Sequence, residues 1–357
     1  MEPSNWTRGC FTLLGLSEKP YHWLPLFSFF LCSYCLCIAG NCLISLLILT
    51  KPQLHTPMYI LLGNLSVVDV CLASVTVPRA MCGLLSGDTS ISFRGCFLQL
   101  FLFHAVGNMD SFLLAIMALD RCAAVCRPLH YYSIMSRRTC ACLITLSWVI
   151  VCLHSTLFTL MTFYLPFCSW VVHHFFCDVP AILLLSCRDT SAQQMVVFVE
   201  GSVIVMGPML FILGSYILII RAVLRLRTPS GRNRTFSTCS SHLTVVVIFY
   251  SSIIFMYFRP SSLYSPVYDR GVSVVYSVLT PVINPLIYSL RNKEVKAAVK
   301  GILHCGEKKK GIKAGKSLGV SDIFPSILYV WLILHSSTSI HSKNSNLVKL
   351  YGISNYL

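Results

Sequence analysis

The residues of this sequence that could do chemistry are charged and amide side chains set inside long apolar runs. Asp120 and Arg121 close one such run within 117–132, MALDRCAAVCRPLHYY. An arginine at the exit of an apolar helix keeps its stem in hydrocarbon while its guanidinium reaches water, a neighbouring carboxylate or a protein partner. Asp110 sits earlier in that same run, Asp69 in another, and Asn41 and Asn284 in two more. A carboxylate in hydrocarbon costs about 2.5–3.5 kcal/mol on insertion scales, so both should turn inward to partners. Asn41, Asp69, Asp110 and Asn284 would then form a polar centre holding water or a sodium ion, or one carboxyl would keep its proton and bond to its neighbours. His173, Cys177 and Asp178 are spaced like metal ligands on one helical turn. Cys96, Cys168 and Cys187 compete for Cys177 as disulfide partners, so no metal site is expected, and no cofactor beyond the sodium ion. GEKKKGIKAGKS at 306–317 falls one residue short of a phosphate-binding loop and follows no strand. With no H-E-x-x-H or G-x-S-x-G motif and scattered histidines, enzyme chemistry is not expected.

The elements that position these residues are membrane helices. Of the 357 residues, 55% are hydrophobic and 11% charged, against about 25% charged in a soluble domain. A spanning helix needs about 20 mostly apolar residues. Seven stretches supply them, at 24–50, 57–85, 96–119, 139–164, 196–224, 243–258 and 271–290, the sixth being long enough only if 237–242 extends it. The expected fold is an all-α membrane protein, a seven-transmembrane bundle over 24–290 after an extracellular N-terminus at 1–23. A short amphipathic helix at 291–305 on the membrane surface and a cytoplasmic tail at 306–357 should follow it.

A formal charge of +15 in a soluble protein would suggest a nucleic-acid partner. Here Lys51, then Arg127, Arg137 and Arg138, then Arg221, Arg225, Arg227, Arg232 and Arg234, and finally Arg291, Lys293, Lys296 and Lys300 fall on alternate sides of the spans, which marks that side as cytoplasmic. The N-terminus is therefore expected outside and the C-terminus inside, with membrane lipid rather than nucleic acid as partner. Residues 1–20 lack a signal peptide's charged start and cleavage site. Asn5 opens a glycosylation sequon on the outer side. The four cysteines Cys96, Cys168, Cys177 and Cys187 share that side and allow three pairings. Pro281 and Pro285 should kink the seventh span and free carbonyls for water or Asn side chains. No internal repeat of the transporter kind is present.

Five stretches, LHTPMYILLGNLSVVD at 54–69, MDSFLLAIMALDRCAAVCRPLHY at 109–131, HHFFCDVPAILLLSCRDT at 173–190, RTFSTCSSHLTVV at 234–246 and PVINPLIYSLRNKEVKAAV at 281–299, resemble in order and spacing the rhodopsin-like G-protein-coupled receptors and, within them, the olfactory receptors. The resemblance implies a receptor at the plasma membrane that takes an odorant from outside and activates a heterotrimeric G protein of the olfactory stimulatory type, raising cyclic AMP. It implies disulfides Cys96–Cys177 and Cys168–Cys187. It makes Asp120 and Arg121 a switch with Tyr216 and Tyr288 as partners, Asp69 and Asp110 an inner acidic pair, and Tyr250 the base of the pocket. The pocket-facing residues expected on the outer halves of the spans are His104, Gly107, Asn108, Ser202, Val203, Met206, Tyr250, Ile254, Tyr257 and Ser277. They are mostly apolar with a few hydrogen-bonding groups, which suits a small, largely hydrophobic, volatile ligand. The chain departs from the family's usual aromatics at Leu119 and Cys122, and runs on to Leu357 where members usually end soon after the short helix.

Overall fold

The computed structural model describes residues 9–17, 19–225, 229–258, 265–291 and 295, all within the unit Met1–Lys313. The Asn5 sequon, the helix expected at 291–305 (Arg291 and Val295 apart) and the tail at 306–357 lie outside the described residues. Among those described, seven helices are long and apolar enough to cross a membrane. They are Trp23–Thr50, Pro57–Ser86, Phe93–Cys126, Arg137–Phe163, Ser191–Leu224, Pro229–Tyr257 and a seventh over 266–291. We term the end at which the first helix begins the upper end of the bundle.

The third helix packs against the second, fourth and fifth, and its Asp110, Ser111 and Leu113 are sealed from solvent. It runs seven residues past the expected stop at 119, so Asp120 and Arg121 lie inside the helix rather than at its exit. Pro128 then forces the turn, since it cannot donate to the ladder and moves Arg127 out of the helical region. The sixth helix begins at Pro229, well before the apolar run, so 237–242 extends it as its length required. The fifth and seventh helices each contain a π-helical turn, at Ser202–Met206 and Val275–Leu279. A turn closed by i→i+5 bonds takes one residue more than an α turn, so side chains beyond it are re-aimed.

Loops at the upper end close into a lid. Strand β1 (Cys10–Leu13) lies between β2 (Ser90–Ser92), antiparallel, and β3 (Val171–Val172), parallel. Ser92 ends β2 and caps the third helix, its hydroxyl accepting from the Gly95 N–H at 3.1 Å. The structure pairs Cys96 with Cys177 and Cys168 with Cys187, so the loop between the fourth and fifth helices is stapled once to the third helix and once to itself. Gln99 adds a further tie, donating to the Val75 carbonyl at 2.8 Å and accepting from the Cys177 N–H at 2.9 Å.

Phe11 fills the centre of the lid at 0% exposure, with the rings of Phe93, Phe167 and Trp170 between 5.0 and 5.8 Å from its own. A methyl group on Gly9 would fall 2.4 Å from the Trp170 ring, so only glycine fits where the strand enters. Phe11→Ala should cost about 3–5 kcal/mol, the range for emptying a buried phenylalanine site. The check is thermal unfolding of the purified chain in detergent, where a midpoint equal to wild type would contradict a packed lid.

Candidate functional site

An apolar cavity of about 60 Å³ lies in the upper half of the bundle, among the third to seventh helices. Phe103, Phe158, Val205, Phe249 and Ile253 form most of its wall. A methyl on Gly107 would touch nothing within 4 Å, and one on Gly201 only the Phe258 ring at 3.9 Å. These two glycines leave space that any other residue would fill. A larger cavity of about 240 Å³ lies at the upper ends of the first two helices, lined by Leu13, Gly15, Trp23, Arg79 and Phe175. Phe175 and Phe176, 4.8 Å apart, stand between the two, since Phe176 packs at 4.5 Å on Phe103 of the inner wall.

Polar groups gather at the top of the inner cavity around Asp178, which is 1% exposed. Its Oδ1 accepts from the Val179 N–H at 2.8 Å and caps the one-turn helix Val179–Leu183. The Tyr257 hydroxyl donates to the carboxylate at 3.0 Å from both oxygens, and the Tyr276 hydroxyl lies 3.5 Å from Oδ2. His104 Nε2 stands 3.3 Å from Oδ1, at ion-pair distance though outside hydrogen-bond geometry. Burial alone would raise the Asp178 carboxyl. The His104 and His174 imidazoles and the Tyr257 hydroxyl outweigh it and hold the group below the usual carboxylate range. His174, beneath the lid, sets Nδ1 against the Phe176 backbone, 3.3 Å from its N–H and 3.2 Å from its carbonyl, and Nε2 3.0 Å from the Ser273 hydroxyl. Burial pushes the His174 imidazole down to about 4.

In the middle of the bundle, side chains of the first, second and seventh helices meet. Asn284 Nδ2 donates to both Asp69 oxygens at 2.9 and 3.1 Å. Pro285 has no N–H for the carbonyl four residues back, and Asn41 Nδ2 satisfies that Pro281 oxygen at 3.0 Å. A side chain on Gly40 would come within 3.1 Å of the Pro285 ring, so glycine lets the first helix approach closely enough for this bond. Among the described residues the buried Asn41 Oδ1, Asp110 Oδ1 and Asn284 Oδ1 have no hydrogen-bond partner.

Below this centre, Arg121 and Asp120 are not held by each other. Asp120 Oδ1 accepts from the Tyr131 hydroxyl at 2.7 Å, and the buried Arg121 Nε lacks a hydrogen-bond partner among the described residues. Tyr216 bonds to His242 Nδ1 at 2.8 Å, and His242 Nε2 meets the Leu114 carbonyl at 3.0 Å. A carbonyl can only accept, so Nε2 carries the proton and Nδ1 accepts from Tyr216. The chain Tyr216–His242–Leu114 latches the fifth, sixth and third helices together. Tyr288 is buried nearby with its hydroxyl unpartnered among the described residues. His242 is not among the residues expected from sequence, although it stands in the 234–246 stretch.

Of the residues expected to face the pocket, His104, Gly107, Asn108 and Tyr257 line the cavity. Val203 is 67% and Ile254 39% exposed, so both point outward. Ser202 bonds back to the Phe198 carbonyl, Ser277 to the Ser273 carbonyl, and neither they nor Met206 line the cavity. Tyr250 is bonded to Ser111 at 2.7 Å and also lies off the wall. The π-helical turns account for the fifth and seventh helices, presenting Val197, Gly201, Val205 and Tyr276 instead. On the sixth, Tyr257 lines the cavity as expected, while Phe249 and Ile253 do so in place of Tyr250 and Ile254. Asp178 stands out in the sequence only for its spacing from His173 and Cys177, and its place at the cavity was not expected because its partners are remote in the chain. The metal-like trio does not form, since Cys177 is bonded to Cys96 and His173 is exposed.

A family model described as olfactory receptor matches residues 30–306. Human olfactory receptor 1L4 is 47% identical over 307 residues, covering 85% of this chain and 99% of that protein. Mouse olfactory receptor 1M1 is 45% identical over 306 residues, 85% of this chain and 98% of that protein. The crystal structure of squid rhodopsin superposes with a TM-score of 0.61 at 19% identity, covering 85% of this chain and 90% of that one. At that identity the likeness speaks for the fold alone.

The buried His174 makes the lid sensitive to acid. Between pH 6.5 and about 4 the unfolded chain takes up a proton that folded His174 refuses, so its contribution is intact above pH 6.5 and is lost as pH falls towards 4. The full effect is roughly 3 kcal/mol. Unfolding midpoints measured across this window should fall less steeply in His174→Gln than in wild type, and equal slopes would contradict the assignment.

Proposed function

This chain belongs to the olfactory receptor family, which comprises signalling receptors rather than enzymes, and on that premise we propose that it binds a small, volatile, largely hydrophobic odorant in the upper cavity and activates a stimulatory heterotrimeric G protein of the olfactory type, raising cyclic AMP. The observation that carries the binding site is the concave apolar wall with a few polar groups at one end, the usual make-up of a small-molecule site. Its volume supplies the coupling. At about 60 Å³ it is smaller than the ~150 Å³ cavity that accepts benzene in another protein, so an odorant must widen it. A ligand shifts a conformational equilibrium only by its differential affinity for the two states, and a wider cavity provides that difference.

Widening acts on helices that meet again below. The sixth helix carries Ile253 and Tyr257 at the cavity and His242 at the lower latch, so its outward swing breaks Tyr216–His242–Leu114 and frees Arg121 to contact the G protein. The arginines and lysines at the lower helix ends support a multi-pass plasma-membrane orientation with the N-terminus outside and the C-terminus in the cytoplasm. The three unpartnered oxygens of Asn41, Asp110 and Asn284 beside Asp69 fit a structural sodium ion, which would be held by these oxygens and would tie the third helix to the first, second and seventh.

Gly107→Leu should fill the cavity and remove the odorant response with surface staining unchanged. A retained response would move the binding site elsewhere. Arg121→Ala should leave surface expression and odorant binding largely intact while abolishing odorant-stimulated cyclic AMP, measured in cells expressing the full chain. Unchanged cyclic AMP would sink the coupling mechanism.

A further inference from the structure

We propose that the cavity selects ligands that donate a hydrogen bond, favouring alcohols and phenols over the matching ketones and esters. The inference rests on the cavity being the odorant site proposed above, and it comes from where the protons around Asp178 must point.

Asp178 is ionised and enclosed, and a carboxylate can only accept. Tyr257 spends its proton there, at 3.0 Å from both oxygens. Tyr276, at 3.5 Å, is drawn the same way. His104 turns its Nε2 towards the carboxylate, 3.3 Å away, so a proton on that nitrogen points at Asp178 and not into the cavity. Tyr257, Tyr276 and His104 all line the cavity, whereas Asp178 does not. The carboxylate therefore collects the protons of its shell, and what remains for a ligand at this end is lone pairs. Asn108 can either donate or accept, and so discriminates little. His154, the other polar wall residue, has its Nδ1 3.5 Å from Glu200 on the side between the fourth and fifth helices, away from Asp178.

A ligand hydroxyl can donate to the Tyr257 oxygen and accept from Asn108. A ketone placed the same way sets its oxygen against the tyrosine lone pairs and leaves a polar group unmatched against an apolar wall. Sites built around a hydrogen bond discriminate strongly against analogues that cannot make it. An unmade bond of this kind corresponds to about tenfold in potency.

The test uses cells expressing the full chain and pairs of alcohols and ketones on identical carbon skeletons, with surface staining and, on the purified full chain, ligand-induced shifts of the unfolding midpoint as a readout independent of the G protein. Wild type should answer the alcohols about tenfold more potently. Asp178→Asn supplies an amide that donates to Tyr257, turns its proton into the cavity and should move the ratio towards the ketones. Tyr257→Phe, which keeps the ring and its packing, should bring the ratio close to one even if the Asp178 variant fails to reach the surface. Ketones equal to or better than alcohols in wild type, or a wild-type ratio kept by Tyr257→Phe, overturns the selectivity and leaves the receptor reading standing. Wild type present at the surface and silent to both series in both readouts overturns the two together.

Discussion

A carboxylate removed from water must be met by donors, and the upper half of this protein is arranged around that requirement. An uncompensated buried charge costs several kcal/mol, and packing does not repay it. Asp178 reaches the bundle on a loop, yet the groups that meet it come from the third, sixth and seventh helices and from the Val179 N–H. Satisfying one side chain thus brings three spans and the lid to a common point. The Cys96–Cys177 bond holds the adjacent residue against the third helix, so the loop is set down where those groups converge. The cavity lies directly beneath, and its polar character is a by-product of the need to keep Asp178 solvated by protein.

The lower half obeys the same rule with other chemistry. Backbone carbonyls released by proline cannot turn to water inside a bilayer, and side chains from neighbouring helices take their place. Asn41 does so for Pro281, and Gly40 makes the approach possible. His242 joins its own helix to two others through two ring nitrogens with opposite roles. Such a link is specific but small, a pair of hydrogen bonds, and so can be exchanged for another arrangement at modest cost. The proposed coupling rests on this contrast between broad apolar contact and a few directional bonds at the ends of the bundle.

Much of this was legible in the sequence. Span number followed from run lengths, because hydrocarbon thickness imposes a minimum that seven stretches meet. The inward aim of Asp69, Asp110, Asn41 and Asn284 followed from the cost of the alternative. Disulfide partners did not follow from spacing, since four cysteines on one face are combinatorially equivalent, and only the family pattern chose among them. Of the ten residues expected to face a pocket, four line the upper cavity. Helical periodicity finds a face only while the turn keeps one size, and Ser202, Val203, Met206 and Ser277 sit in wide turns, where the count slips. Ile254 shows the same method failing on a regular helix by a single position. The roles of Asp178 and His242 escaped for a different reason, as they depend on contacts 74 and 128 residues away in the chain.

The two wide turns have an evolutionary side. Inserting one residue into a regular membrane helix rotates everything beyond it by about 100°, which would swing a buried face into lipid. A π-helical turn absorbs that residue locally, and losing one restores an ordinary turn. The fifth and seventh helices of this chain therefore each contain a place where length can change by one without re-facing the lower half, and both places border the cavity. A residue gained or dropped there would alter the wall of the chamber while the parts below stay in register.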